Sequence, residues 1–223
     1  MTGEQMDDVP TTQMQTKQSP RIGPVGTFVV ARVEQLLKNR NISSWAVAAM
    51  ARLRANVSRP PGVDGAIWDI TMKGAPGNPR TDAATDEETT IHAALTLFAV
   101  HQQAQEAPMH RRGVGFGRAV RQLNDRGSDN GDGTGPVRRR FDALITAATF
   151  EELRYHLRGM VTQLRGASIG FDYGMFADEL FMFLQPDGAD SMRRRWARQY
   201  YYLGALTTTE KISSDSTPKE DNE

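Results

Sequence analysis

Apolar residues return every three or four positions along most of this chain, and nowhere do they alternate strongly enough to demand a strand. That spacing limits the fold more than any other feature. Phe28, Val29, Val33, Leu36 and Leu37 share one helical face over 27–38. Ser43 or Ser44 caps the next helix, whose stripe of Trp45, Ala49, Leu53 and Val57 is joined by Ala46 and Met50. After the loop "RPPGVDG", Trp68 is expected to anchor a short turn or helix. Thr85 and Glu88 make a capping box for a helix running to about 106, with Ile91, Ala94, Leu95, Phe98 and Ala99 inward. Pro108 closes that helix.

The second half continues the pattern. Helices are expected over 116–125, from Pro136, from a Thr149/Glu152 cap to about 165, from an Asp172 cap to about 184, and over 188–205. The predicted fold is all-α, a multi-helix bundle of about eight helices whose short loops set neighbours antiparallel. Residues 1–23 and 207–223 are polar, and the second of these is acidic; both are expected to be disordered. The helical body then spans 24–206. No apolar run is long enough to cross a membrane, so no membrane partner is expected. The absence of cysteine excludes disulfides, zinc–thiolate sites and cysteine nucleophiles, and fits a reducing cytoplasm.

The formal net charge is zero, yet it is uneven. The two ends are acidic, so the body between them is basic. From 111 to 165 there are eleven arginines and no lysine, against six acids. Arginine's planar fork suits phosphate and stacks on bases. In the helix from 149, Arg154, Arg158 and Arg165 fall within about 40° of one another at 100° per residue. Leu153, Leu157, Met160 and Leu164 form a separate apolar stripe. A narrow arginine stripe is expected to repel itself unless an anion meets it. Arg138, Arg139 and Arg140 fill the first turn of the helix from Pro136, where the dipole disfavours cations by about 0.3–1 kcal/mol each. Phosphate is expected to offset that penalty, leaving the cluster unfavourable in the free protein. With Arg118 and Arg121, these residues describe a polyanion-binding surface. A helical adaptor whose arginines meet acidic protein surfaces is the alternative. The cluster "SMRRRWARQYYYL" (191–203) reads more simply as a helix packing Trp196, Tyr200 and Leu203.

Enzymatic signals are weak by comparison. "GVGFG" (113–117) lacks both the spacing and the preceding strand of a dinucleotide loop, and reads as a closely packed helix entry. Glu88/His92 and Glu152/His156 miss the Glu-x-x-His ligand spacing by one and read as surface pairs. Asp178 and Glu179 read as solvated charge or members of ion pairs. No catalytic residue, metal ligand or cofactor is expected.

Several stretches in order resemble one family: "MARLRA" (50–55), "LTLFAVHQQ" (95–103), "GVGFGRAV" (113–120), "RRRFDALI" (138–145), "EELRYHLRGMVTQLR" (151–165), "FDYGMFADEL" (171–180) and "RRRWARQYYYL" (193–203). Together they resemble the CasB family, the small subunit of the type I-E CRISPR Cascade complex, over roughly 24–203. The resemblance implies an all-helical protein without catalytic activity, present as two copies beside other Cascade subunits. It implies contacts with the backbones of guide RNA (crRNA) and target DNA, and help in holding the R-loop open. On the matching motifs it implies nucleic-acid contact by Arg54, Arg118, Arg139, Arg140 and Arg158. Helical geometry adds Arg121, Arg138, Arg154 and Arg165. The Gly- and Asp-rich loop 124–135 sets acids beside this basic surface.

Overall fold

The computed structural model describes residues 22–40, 43–127 and 135–213, with side chains as far as Tyr202. The expectations for 1–21, for 214–223 and for 128–134 of the Gly/Asp loop lie outside the described residues. Within them the elements run α1 (Pro24–Asn39), α2 (Ser44–Ala55), a short 3-10 turn (Gly65–Ile67), α3 (Trp68–Thr71), α4 (Asp86–His101), α5 (Phe116–Gly127), α6 (Pro136–Ile145), α7 (Phe150–Gly166), α8 (Tyr173–Leu184) and α9 (Gly188–Ser213). The all-α bundle expected from periodicity is the fold observed, with α3 a single turn. An isolated parallel bridge between His110 and Phe171 ties the lead-in of α5 to that of α8.

α4 is the axis of the bundle and packs against α1, α2, α7 and α8. Its capping box is present: the Glu88 amide donates to Thr85 Oγ1 and the Thr85 amide to the Glu88 carboxylate, at 3.2 and 2.9 Å. The predicted inward face is inward, but every residue from Thr90 to His101 is buried. A helix surrounded on all sides needs no single apolar stripe. It ends at His101 rather than near 106; Gln102 then stays among the loop backbone, donating to the carbonyls of Gln105 and Ala107.

Burial sets the state of the histidines. His101 Nε2–H donates to the Ile169 carbonyl, and Nδ1 accepts from Tyr173 Oη, both at 3.0 Å. That arrangement requires neutral imidazole, and burial pushes its pKa down to about 4. His110 Nδ1 accepts from the Tyr173 amide, so it too is neutral in this fold. His92 is buried and pairs with the Asn56 carbonyl, while Glu88 is spent on the capping box. The expected Glu88/His92 surface pair therefore does not form, whereas Glu152 and His156 do approach, at 3.8 Å.

The core continues to where α5, α8 and α9 meet. Phe116, Phe171, Phe176 and Trp196 stack there with centroid separations of 4.7–6.2 Å. Glu179 is fully buried among them and accepts from Trp196 Nε1 at 2.6 Å and Gln199 Nε2 at 3.0 Å. Its neighbour Asp178 accepts from the amides of Gly23 and Gly26, at 2.6 and 2.8 Å. Gly23 has no side chain with which to cap α1, so Asp178 supplies the cap from α8. Solvated charge or ion pairing was the expectation for both acids; the fold uses one as a buried acceptor and the other as a distant cap.

Two tryptophans depart from expectation. Trp45 and Trp68 are 42% and 52% exposed, while Ala46, Ala49, Met50 and Leu53 carry the α2 contact and Ile67 and Ile70 anchor the short turn. α9 also extends to Ser213, past the predicted end at 205 and into the segment read as tail.

Candidate nucleic-acid interface

The arginines of the basic middle fall into three settings. The first is the α7 stripe. Arg154 Nη2 donates to the carbonyls of Val57 and Arg59 at 3.0 and 3.3 Å. Arg158 Nη1 donates to Ser58 Oγ at 2.8 Å. Arg165 Nη1 reaches the Val100 carbonyl and Gln103 Oε1 at 3.4 and 2.9 Å. Val57–Arg59 follow the C-terminus of α2, and Val100 lies in the last turn of α4. Helix C-termini present unpaired carbonyls and partial negative charge. The stripe therefore needs no external anion to be held: it fastens α7 to the ends of two helices. This corrects the expectation of uncompensated self-repulsion.

The second setting is the start of α6. Pro136 occupies N1 as expected, and Gly135 makes no side-chain cap. Arg138 donates to both carboxylate oxygens of Asp142, one turn on, at 2.9 and 3.1 Å. Its guanidinium lies 4.8 Å from the Tyr201 ring centroid and 5.7 Å from that of Tyr200. The Asp142 hydrogen bonds hold its pKa above the ordinary value. Arg121 pairs with Asp125 at 2.7 Å and lies 5.7 Å from the same Tyr200 ring. For Arg138 the dipole penalty is thus offset within the protein, which corrects the expectation that only phosphate would do so.

The third setting is open. Arg118 on α5 and Arg140 on α6 are exposed, and neither makes an ion pair or hydrogen bond among the described residues. Arg54 is half-buried on α2; Arg139 is exposed on α6 but has a partner, and so falls outside this open setting. Arg140 shares a groove of about 990 Å³ with Arg154 and Arg158, bordered by Val57, Ser58, Pro60 and Pro61. Glu151, on the same helix as Arg154 and Arg158, and Asp86 also line it, so the groove carries acids as well as arginines. Tyr155, 77% exposed, stands between the arginines. Arg118 and Arg121 lie on α5 and Arg165 at the far end of α7, outside this groove.

Tyr155 was not singled out from sequence, although its i+3 relation to Arg158 was visible. Gly115 and Gly117 of "GVGFG" pack closely as expected, whereas Gly113 faces open space and takes a left-handed φ of 76°. A Cβ on Gly117 would strike the Trp196 carbonyl, and its amide donates to Gln199 Oε1 at 2.9 Å. The Gly113 amide donates to Asp172 at 2.7 Å. Those two amides are therefore occupied. Among the described residues, no three His, Asp or Glu side chains converge as a metal site would require, and no helix is long and apolar enough to cross a membrane.

Residues 49–201 match the family described as CRISPR-associated protein Cse2. A curated protein of that name from Thermus thermophilus is 25% identical over 168 residues, covering 75% of this chain and 86% of the relative. The crystal structure of CasB from Thermobifida fusca superposes with a TM-score of 0.66 at 36% identity, covering 81% of this chain and 99% of that one. A chain of a CRISPR RNA-guided surveillance complex shares the fold, with a TM-score of 0.60 at 18% identity, covering 82% and 99%.

Proposed function

The chain belongs to the CRISPR-associated Cse2 family, and we propose that it is the small, non-enzymatic subunit of an RNA-guided type I-E surveillance complex (Cascade) in antiviral defence. In this role it contacts the backbones of guide RNA and target DNA and stabilises the R-loop, beside the other Cascade subunits and a second copy of itself. Base pairing supplies sequence specificity while the protein meets backbone and shape, a division of labour known in other RNA-guided systems. The observation that carries the reading is the pair Arg118 and Arg140, exposed and without a counter-charge among the described residues. A guanidinium left open on a folded surface is ready for phosphate.

The nine arginines then divide by what they already hold. Arg118 and Arg140 offer whole guanidiniums to phosphate. Arg154, Arg158 and Arg165 keep donors beyond those that fasten α7; Arg154 and Arg158 supply positive potential along the groove, and Arg165 does so beyond it. Arg121 and Arg138 are partly neutralised by Asp125 and Asp142 and serve mainly to orient that side of the surface. Arg54 and Arg139 complete the set.

Replacing Arg118 and Arg140 together with alanine should leave the thermal melt unchanged, because neither side chain makes a contact whose loss would matter. In the assembled complex it should weaken target binding and reduce the slope of log affinity against log salt by about 1.4–1.8, at 0.7–0.9 for each phosphate contact. The loss should be equal for two unrelated matched targets, since backbone contacts carry no sequence directly. Unchanged affinity and slope would reject the phosphate role. A loss confined to one target would mean base reading, and failure to assemble without any change in salt slope would favour the adaptor reading.

A further inference from the structure

Apart from Tyr201, which covers Arg138, the outer face of α9 takes no part in the interface above. Its inner face buries Met192, Trp196 and Tyr200. At 100° per residue, Arg194, Arg195, Arg198, Tyr201 and Tyr202 fall on the opposite side, within about 120° of arc. All five are exposed. Arg195 and Arg198 make no ion pair or hydrogen bond among the described residues, and Arg194 reaches only Ser191 Oγ at 3.1 Å. The nearest acid along the helix, Asp190, is held by Arg193 at 2.8 Å. The three arginines also border a shallow groove of about 800 Å³, where Asp187 is the single acid among the lining residues.

The two tyrosines are not equivalent. The Tyr201 ring packs against Tyr200, with centroids 5.0 Å apart, and carries the Arg138 guanidinium at 4.8 Å. Tyr202 is 72% exposed. The stripe thus presents three cations followed, one helical turn on, by an open aromatic ring. Cations along a groove followed by an aromatic platform suit a strand that offers both phosphates and unstacked bases. A duplex keeps its base faces stacked inside, and an acidic peptide has no need of the ring. The geometry points to the α9 face as a second, separate binding surface for single-stranded nucleic acid, with Arg194, Arg195 and Arg198 meeting phosphates and Tyr202 stacking on a base.

This surface does not depend on the groove at α6 and α7, and the test separates the two. Binding of the full chain to a labelled single-stranded oligothymidylate 12-mer is measured over a salt series beginning near 50 mM. A 12-bp duplex and polyglutamate serve as competitors. Arg195→Ala with Arg198→Ala should lower the salt slope by about 1.4, at 0.7 per single-strand phosphate contact. Tyr202→Ala should weaken binding about fivefold or more without altering the slope, because stacking releases no counterions. Tyr202→Phe should bind as the wild type does. Thermal melts of all variants should match, since these side chains are exposed.

The inference is overturned if no oligothymidylate binds at the lowest salt, or if Tyr202→Ala binds normally. It is also overturned if the duplex or polyglutamate competes as well as the single strand. Arg118→Ala with Arg140→Ala is run alongside. Its silence beside losses in the α9 variants would show that the free chain holds the single strand through α9 and not through the first surface; the converse result would reject the α9 surface.

Discussion

Trp196→Ala should lower the free energy of unfolding by about 3–5 kcal/mol, the range for removing a buried large aromatic side chain. Trp196 is fully buried, with its ring 4.7 Å from Phe116 and stacked on Phe176 at 6.2 Å with an interplanar angle of 8°. Truncation empties the junction of α5, α8 and α9. It also removes the indole N–H from Glu179, leaving a buried carboxyl with one donor fewer. Trp45→Ala is the control: that ring is 42% exposed, and its loss should stay within about 0.5 kcal/mol. Denaturant titration of the three proteins at one pH checks both. A loss below about 1 kcal/mol for Trp196→Ala would show that this junction is not part of the cooperative core.

Glu179→Gln should change the pH dependence of stability more than stability itself at low pH. Burial raises the carboxyl from its ordinary 4.5 to about 7, against the lowering pull of the Trp196 and Gln199 hydrogen bonds. The folded state therefore holds this proton more tightly than the unfolded chain does. Its contribution is complete below pH 4.5 and is lost as pH rises from 4.5 to 7. The gap corresponds to about 3 kcal/mol. His101 works in the opposite sense: its pKa falls from 6.5 to about 4 through burial, so its contribution is present above 6.5 and lost as pH falls towards 4. The two trends overlap, and a wild-type profile alone would blur them. The difference between wild type and Glu179→Gln isolates the carboxyl, because glutamine does not titrate. That difference should fall by about 3 kcal/mol between about pH 4.5 and 7.5 in denaturant titrations. A flat difference would mean that Glu179 keeps an ordinary pKa in the fold.

What could be read from the sequence followed from how local each signal is. The caps at Ser43, Thr85, Thr149 and Asp172 involve residues two or three positions apart; the last three were legible, and the first was narrowed to Ser43 or Ser44. The apolar stripes of α5 and α7 were equally so, because each of those helices has one buried side. α4 was read only in part: a helix enclosed on all sides buries polar residues too, and periodicity cannot show how many neighbours surround it. Asp178 and Glu179 were misread for a related reason. Their partners lie 155 residues upstream and 17–20 residues downstream, and no spacing rule connects them. Among the arginines, the shared face of Arg154, Arg158 and Arg165 was correctly placed. That this face meets the ends of α2 and α4 depends on how those helices pack, which the sequence did not reveal. Arg138 is instructive because Asp142 was in plain view four residues on. The i,i+4 pair was legible and offsets part of the dipole penalty at that position. The tyrosines that cover it come from α9 and were not.

Asp178 has a consequence for how the molecule bears load. Because it caps α1 from α8, the first turn of α1 is riveted to an element more than 150 residues away. A free helix end frays one residue at a time, like a zipper opened from its tab. Here the tab is stitched to the interior. A pull applied at the N-terminus meets two short hydrogen bonds to a carboxylate before any turn of α1 can unwind, and it passes into α8. With the chain held at both ends in a single-molecule stretching experiment, α1 should give way together with the contacts of α8 in one step. Asp178→Ala should split off an earlier rupture at lower force, as α1 peels away alone.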